Sequence, residues 1–398
     1  MQNQQKYNII CLSNQLWDFP NWTNKRHVMS RMAKLGHNVL FVDPPINLGR
    51  VFARQILRGH WGLKRIFTQQ KKSSSGAQIY TPINLIPLTA LTSKLHALRI
   101  RALSKKFFST DRKTLLWVYH VEIAHIPTYV STIPHDLLIY DCVDNYEGFP
   151  RNNTPEKKAK VRAKEKYLAT SAKLVFATAP GLADKLKQYN ENVYFTPNVG
   201  DYKKFFDVKN RIKSLPQDLE QIPRPRVGFT GALDAYKFDA ELMALLAQKN
   251  PNMSFVLIGQ IALQDKKANL SSLGLDKYKN IYFLGHKPYE ILENYYAGFD
   301  VYIIPYKLNE YTVGGCFPVK FHDALAAGLP TVVTDLPAYA PFKEVSYVAK
   351  THEEFVSAVK KALIENDRSK ELARQKVAEQ NDWDGKVEKM LQIISENL

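Results

Sequence analysis

The segment Pro318-Val-Lys-Phe-His-Asp-Ala-Leu-Ala-Ala-Gly-Leu-Pro-Thr-Val-Val333 sets an ammonium, Lys320, three residues before a carboxylate, Asp323. Proline is tolerated in a first helical turn, so a helix is predicted to open near Pro318. It ends at Gly328, and Pro330 leads into a Val-rich strand. A helix start exposes unpaired N–H groups and a partial positive charge, which favour phosphate. Lys320, next to Val319, adds a full charge to that end. Asp323 shares the face and suits ribose hydroxyls. Either residue alone reads more readily as an ordinary surface side chain of an αβ unit than as a ligand. A second feature is Gly231, closing Arg226-Val-Gly-Phe-Thr-Gly231. Lacking a Cβ there, the chain would admit a diphosphate close to its backbone; the plain alternative is a turn glycine. Tyr306 follows Pro305 after an apolar run. It is placed to close over a ribose or sugar, or simply to pack.

The elements that must position these residues alternate in type. In the first half, strands are expected at 7–13, 38–43, 115–119, 137–142 and 174–178, with a helix over 25–35. The stretch 203–226 is polar, holds Pro216, Pro223 and Pro225, and reads as a linker. Strands then recur at 227–230, 254–258, 281–284, 301–304 and 331–334, separated by helices, with another helix over 353–364. Strands alternating with helices build parallel α/β sheets, whose ligands sit at the carboxyl ends of strands. That rule draws attention to Ser13, Asn14, His120 and Asp141–Asp144.

A chain of 398 residues suits two such domains. Hydrophobic content of 45% with 23% charged residues is globular composition. Cys11, Cys142 and Cys316 are far apart and odd in number, which argues against a disulfide framework or zinc site and favours a reducing compartment. No run of about 18 apolar residues would cross a bilayer, and the polar start carries no signal-peptide pattern. A cytoplasmic protein is expected. The net charge of +17 is one-sided: residues 1–206 hold 31 of the 55 Lys+Arg but only 13 of the 38 Asp+Glu. Such a field attracts anionic partners.

Four motifs occur in order: Val227-Gly-Phe-Thr-Gly-Ala232, Phe255-Val-Leu-Ile-Gly259, Asn280-Ile-Tyr-Phe-Leu-Gly285 and Pro318–Val333. Together they resemble the nucleotide-sugar lobe of GT-B glycosyltransferases, continuously from about Val227 to Val333 and more loosely over the first half. The resemblance implies two Rossmann-like domains facing each other across a cleft, with a C-terminal helix crossing back. Residues 1–205 would form an acceptor-binding, membrane-facing domain, 206–380 the nucleotide-sugar domain, and 381–398 the returning helix. It places Gly285 and His286 beside the nucleotide base. The pair of glutamates that many retaining members carry eight residues apart is missing, since Gly315 stands eight before Asp323. The Gly-rich loop after their first strand is replaced by Ser13-Asn14-Gln15-Leu16-Trp17. The chain looks closer to teichuronic-acid-type transferases and the xanthan glucuronosyltransferase group. In the latter group an aspartate of the first lobe deprotonates the acceptor, and Asp144 is the candidate here. Asp141 is the rival, and capping of the following turn the plain alternative. An inverting displacement needs such a base and a stabilised diphosphate leaving group, held by Lys320 and Gly231.

An Asp-x-Asp pair occurs only at Asp382-Trp-Asp384, where capping suits it better than chelation. No obligatory metal or other cofactor is expected. Basic residues alternate with apolar anchors over Val51–Phe67 and Leu91–Phe108, as in helices that lie on anionic membranes; the plain alternative is a solvated helix face. The resulting expectation is a transferase at the inner face of the cell membrane. It would move a hexose or uronic acid, from UDP in the first instance, to a lipid-linked or polysaccharide acceptor. The alternatives are a retaining transferase without a protein base, an inactive scaffold of the same fold, and a nucleic-acid binder. The last lacks a recognition helix or an RNP-type strand, and nucleic acid is not expected as a partner.

Overall fold

The computed structural model describes residues 5–47, 69–84, 89–261 and 269–398. The basic stretch Val51–Phe67 lies outside them. The chain forms two compact units, Met1–Pro197 with Val387–Leu398, and Asn198–Lys386.

In the first unit the strands are β1 (Asn8–Leu12), β2 (Asn38–Val42), β3 (Ile46–Asn47), β4 (Gln70–Lys72), β5 (Gln78–Tyr80), β6 (Ile83–Asn84), β7 (Thr114–Val118), β8 (Leu137–Cys142), β9 (Leu174–Ala177) and β10 (Val193–Phe195). Eight of them make one sheet in the order β10-β9-β8-β7-β1-β2-β5-β4, parallel except for the β4–β5 pair. Ile9, Ile10, Cys11, Leu116, Trp117 and Ile139 are fully buried in its central strands, as expected of parallel strands covered on both faces. The chain leaves β1 for β2 on one side and returns through β7 on the other. Order therefore reverses at β1, the kind of point where α/β sheets bind ligands.

The second unit repeats the plan with β11 (Arg226–Thr230), β12 (Ser254–Ile258), β13 (Ile281–Gly285), β14 (Val301–Ile304), β15 (Thr331–Thr334) and β16 (Tyr347–Ala349). The order is β13-β12-β11-β14-β15-β16, all parallel, with the reversal between β11 and β14. Helix Ala240–Lys249 follows β11. The Asp239 carboxylate accepts from its Leu242 N–H at 2.9 Å, one of the first-turn donors that has no partner inside the helix.

The stretch 203–226 is not a linker. It folds as short helices at Tyr202–Phe205, Val208–Arg211 and Gln217–Glu220. Phe205, Val208, Leu219 and Ile222 are buried in the core of the second unit. Their apolar spacing was hidden among lysines and prolines that line the outer side of each turn. The basic stretch Leu91–Phe108 folds as helix Ala90–Phe107. The structure adds elements that the sequence reading leaves out: strand β5, between β2 and the edge strand β4, strand β16 at the edge of the second sheet, and the helices Pro155–Ser171 and Arg368–Gln380. Helix Trp383–Glu396 begins in the second unit and ends among the residues of the first.

Candidate functional site

The register of the second sheet brings three strand ends side by side. The Gly231 N–H donates to the Ile258 carbonyl at 2.8 Å, and the Gly259 N–H to the Gly285 carbonyl at 2.8 Å. Gly231, Gly259 and Gly285 have φ of +127°, +150° and +67°, values that a side chain with a Cβ rarely adopts. A Cβ on Gly259 would overlap the Gly231 carbonyl, whereas one on Gly285 would meet nothing. Three motifs scattered over about sixty residues of sequence thus make one backbone floor without side chains. Gly259 closes the second of the four motifs, but sequence reasoning gives it no role in the site. Its signal was the position it shares with Gly231, at the end of an apolar run.

Lys320, the first residue of helix Lys320–Ala326, stands directly over that floor. A Cβ on Gly231 would collide with its ammonium. The Nζ lies 4.1 Å from the Phe229 ring centre and 5.3 Å from that of Tyr306. Among the described residues Lys320 makes no ion pair. Burial, and then the neighbouring charge of Lys237, hold its pKa well below the ordinary lysine value, against the opposing influence of Cys316, Asp234 and Asp323. Lys237 itself is 3.4 Å from Asp234. An ammonium taken from water without a counter-ion is costly, and a bound anion would remove that cost. The helix is only two turns long, and its Phe321 N–H is already bonded to the Pro318 carbonyl at 3.1 Å. The side-chain charge therefore outweighs the helix dipole here.

Tyr306 follows β14 across the topological switch from Gly231. Its ring is buried and its N–H donates to Thr334 Oγ1 at 3.1 Å. Beneath the floor, Thr230 Oγ1 sits 2.7 Å from Tyr296 Oη and 2.6 Å from Tyr302 Oη, a buried hydroxyl cluster that braces the end of β11. Asp323 is buried, and its Oδ1 accepts the Asp201 N–H at 2.8 Å. A Cβ on Gly200 would come within 2.8 Å of the Asp323 nitrogen. The carboxylate therefore fastens the segment entering the second unit to the Lys320 helix. Val319 and His286 are half-buried. Burial lowers the His286 pKa, with Lys287 adding and Glu290 opposing, so the imidazole is neutral at pH 7 and offers one donor and one acceptor.

Asp144 belongs to the first unit, two residues beyond β8, and is half-buried. Its carbonyl accepts the Tyr146 N–H at 3.1 Å. Asp141, within β8, is buried, and its Oδ2 accepts Trp117 Nε1–H at 3.2 Å. His120, two residues beyond β7, accepts the Glu122 N–H on Nδ1 at 2.9 Å. Burial, then Lys25, Arg151 and Lys164, push its pKa down to about 2. Sequence reading did not single out Lys25. It is buried near the start of helix Asn24–Lys34, with Nζ 5.4 Å from the Tyr119 ring centre. Burial lowers its pKa, and Asp144 is the charge that most opposes this, ahead of Cys11 and Asp141. No group of three His, Cys, Asp or Glu among the described residues is arranged to hold a metal ion.

Residues 224–366 match the family model described as "Glycosyl transferases group 1". Over 271 residues the chain is 26% identical to TuaH of Bacillus subtilis (strain 168), named as a teichuronic acid biosynthesis glycosyltransferase; the match covers 65% of this chain and 66% of TuaH. The chain therefore spans just under two thirds of that relative's length. Sucrose-phosphate synthase from Thermosynechococcus elongatus superposes with a TM-score of 0.68 at 14% identity, over 98% of this chain and 99% of that one. Anabaena HepE, solved in complex with UDP, superposes at 0.63 with 15% identity, over 98% and 100%. The architecture is that of the GT-B glycosyltransferases, and residues 224–366 are a group 1 glycosyltransferase domain.

Proposed function

We propose, from the premise that the second unit carries a group 1 glycosyltransferase domain on a GT-B fold, that the whole chain moves a sugar from a nucleoside-diphosphate donor to a lipid-linked or polysaccharide acceptor. UDP is the favoured nucleotide, the donor sugar a hexose or uronic acid, and the inner face of the cell membrane the place of action. The observation that carries this reading is the Lys320 ammonium. It is sandwiched near Phe229 and Tyr306, without an ion pair among the described residues, above a glycine floor that excludes side chains. That combination suits a pyrophosphate: backbone can approach it closely, and one full charge meets it in a poorly hydrated place.

In this reading Asp144 accepts the proton of the acceptor hydroxyl. The acceptor oxygen bonds to the anomeric carbon as the bond from that carbon to the phosphate oxygen breaks, and the nucleoside diphosphate leaves with the electron pair. Lys320 offsets the charge that builds on the departing diphosphate. Gly231, Gly285, His286, Tyr306, Val319 and Asp323 line or brace the donor end. One attack from the face opposite the leaving group inverts the anomeric centre.

A panel of nucleotides and nucleotide-sugars in thermal-shift assays, followed by NMR of the product anomer, tests the proposal. The expected result is stabilisation by a nucleoside diphosphate, an inverted product, and an Asp144→Asn variant that binds donor but transfers no sugar. A retained anomer, or transfer surviving in Asp144→Asn, would remove the aspartate from the mechanism. No stabilisation by any nucleotide would remove the reading altogether.

A further inference from the structure

The helix Ala90–Phe107 is built the wrong way round for a helix that packs only against its own unit. Its inward face carries Thr92, Ser93, His96, Ala97, Ile100 and Leu103, whereas Leu91, Leu95 and Leu98 are 68%, 57% and 43% exposed. Burying a threonine, a serine and a histidine while presenting leucines to water runs against the hydrophobic effect unless something covers the leucines.

At about 100° per residue, the outward positions sort into stripes. Leu91, Leu95, Leu98 and Ala102 fall in a strip roughly 60° wide. Lys94, Arg101 and Lys105 run along one border of it, and Arg99 and Lys106 along the other. All five cations are exposed, and the helix contains no acidic residue. Lysine and arginine stems lie along an apolar surface while their charged heads stay in water.

We infer that this face is the surface by which the protein docks on an anionic lipid bilayer, the helix lying in the plane of the membrane with Leu91, Leu95 and Leu98 inserted among acyl chains and the flanking cations against lipid phosphates. A bilayer fits better than a protein groove because the apolar strip is bordered on both sides by the same sign of charge, the pattern of an anionic plane meeting an embedded helix. No helix of the described residues is long and apolar enough to cross a membrane, so contact of this kind would lie at the interface. The inference deepens the proposed function by naming what would carry a lipid-linked acceptor.

The test is sedimentation of the full chain with vesicles of phosphatidylcholine alone and with about one third phosphatidylglycerol, comparing wild type with Leu91→Ser/Leu95→Ser/Leu98→Ser and with Lys94→Gln/Arg99→Gln/Lys105→Gln. Binding to the anionic vesicles only is expected. The leucine variant should lose about tenfold or more in partitioning. The cation variant should show weaker binding that added salt reduces less, since only Arg101 and Lys106 of the flanking cations remain. Nucleotide-induced stabilisation should be unchanged in both, so failure of docking and failure of the catalytic reading are read separately. Undiminished vesicle binding in the leucine variant would overturn the inference. So would a concentration-dependent dimer lost in that variant, or a fall in its melting temperature in solution without any change in partitioning, since these assign the stripe to a second copy or to another part of the chain.

Discussion

Two ammonium groups, the buried Lys25 in the first unit and the half-buried Lys320 in the second, carry most of the chemistry argued here. Lys320 has its pKa held below the ordinary lysine value of 10.5. Its unfolded form therefore binds a proton more readily than its folded form, and stability from this group rises as pH climbs from the folded value toward 10.5. Replacing it should thus help the empty protein and harm the loaded one. Lys320→Met is expected to raise the melting temperature without ligand while weakening nucleoside-diphosphate affinity by about tenfold to a hundredfold. Calorimetry and thermal shift on one sample read both, and a fall in both would contradict the assignment. Binding needs the protonated amine, so wild-type affinity should decline at a pH where an exposed lysine is still charged; Lys320→Arg should remove that decline. In the first unit, the Lys25 charge acts on Asp144. Lys25→Met should move the acid limb of the rate–pH profile upward, and Lys25→Arg should restore it. An unmoved limb would mean that Asp144 is not the titrating base.

At the scale of elements, the strand ends matter more than the helix that follows them. Gly259 sits at φ +150° with its would-be Cβ on the Gly231 carbonyl. Gly259→Ala should cost more than about 1 kcal/mol of stability and also weaken nucleotide binding, because relief of the clash displaces Gly231. Gly285→Ala meets no atom, so only its backbone strain counts, and the smaller loss should appear in urea midpoints. The tether from Asp201 to Asp323, together with the close fit of Gly200, links the entering segment of the second unit to the Lys320 helix. The docking helix is likewise a property of one element, set by which side of Ala90–Phe107 its neighbours cover.

For the whole molecule, acid stability follows from histidines buried without their proton. Burial lowers His37 to about 4 and His322 to about 3, with Lys6 and Arg112 adding to the effect on His37. Both rest above 6 in the unfolded chain. The unfolded state therefore binds the extra protons, and stability falls as pH drops from about 6.5, by up to roughly 1.4 kcal/mol per pH unit for each histidine. The His322 ring stands 5.2 Å from that of Phe317 and 5.1 Å from that of Phe342, and neither of its nitrogens has a hydrogen-bond partner. His322→Phe should flatten part of this loss in urea melts between pH 7 and 5; an unchanged slope would show the histidine is charged or hydrated in the fold.

How much of this was written in the sequence follows a physical line. Apolar runs such as Ile9–Leu12 and Phe255–Ile258 announced buried parallel strands, and turn glycines marked their carboxyl ends, because backbone preference and burial are local properties. The order of the motifs carried the GT-B architecture. Register decided the rest: that Gly231, Gly259 and Gly285 form one floor, that Lys320 stands over it between Phe229 and Tyr306, and that Asp323 spends one oxygen on the Asp201 amide. Periodicity could mark residues 91–108 as amphipathic, but not that the leucines face out while Thr92 and His96 face in. The segment 203–226, polar in composition, became core through Phe205, Val208, Leu219 and Ile222. Which side of an element meets its neighbours depends on contacts distant in sequence, and only the folded chain supplies them.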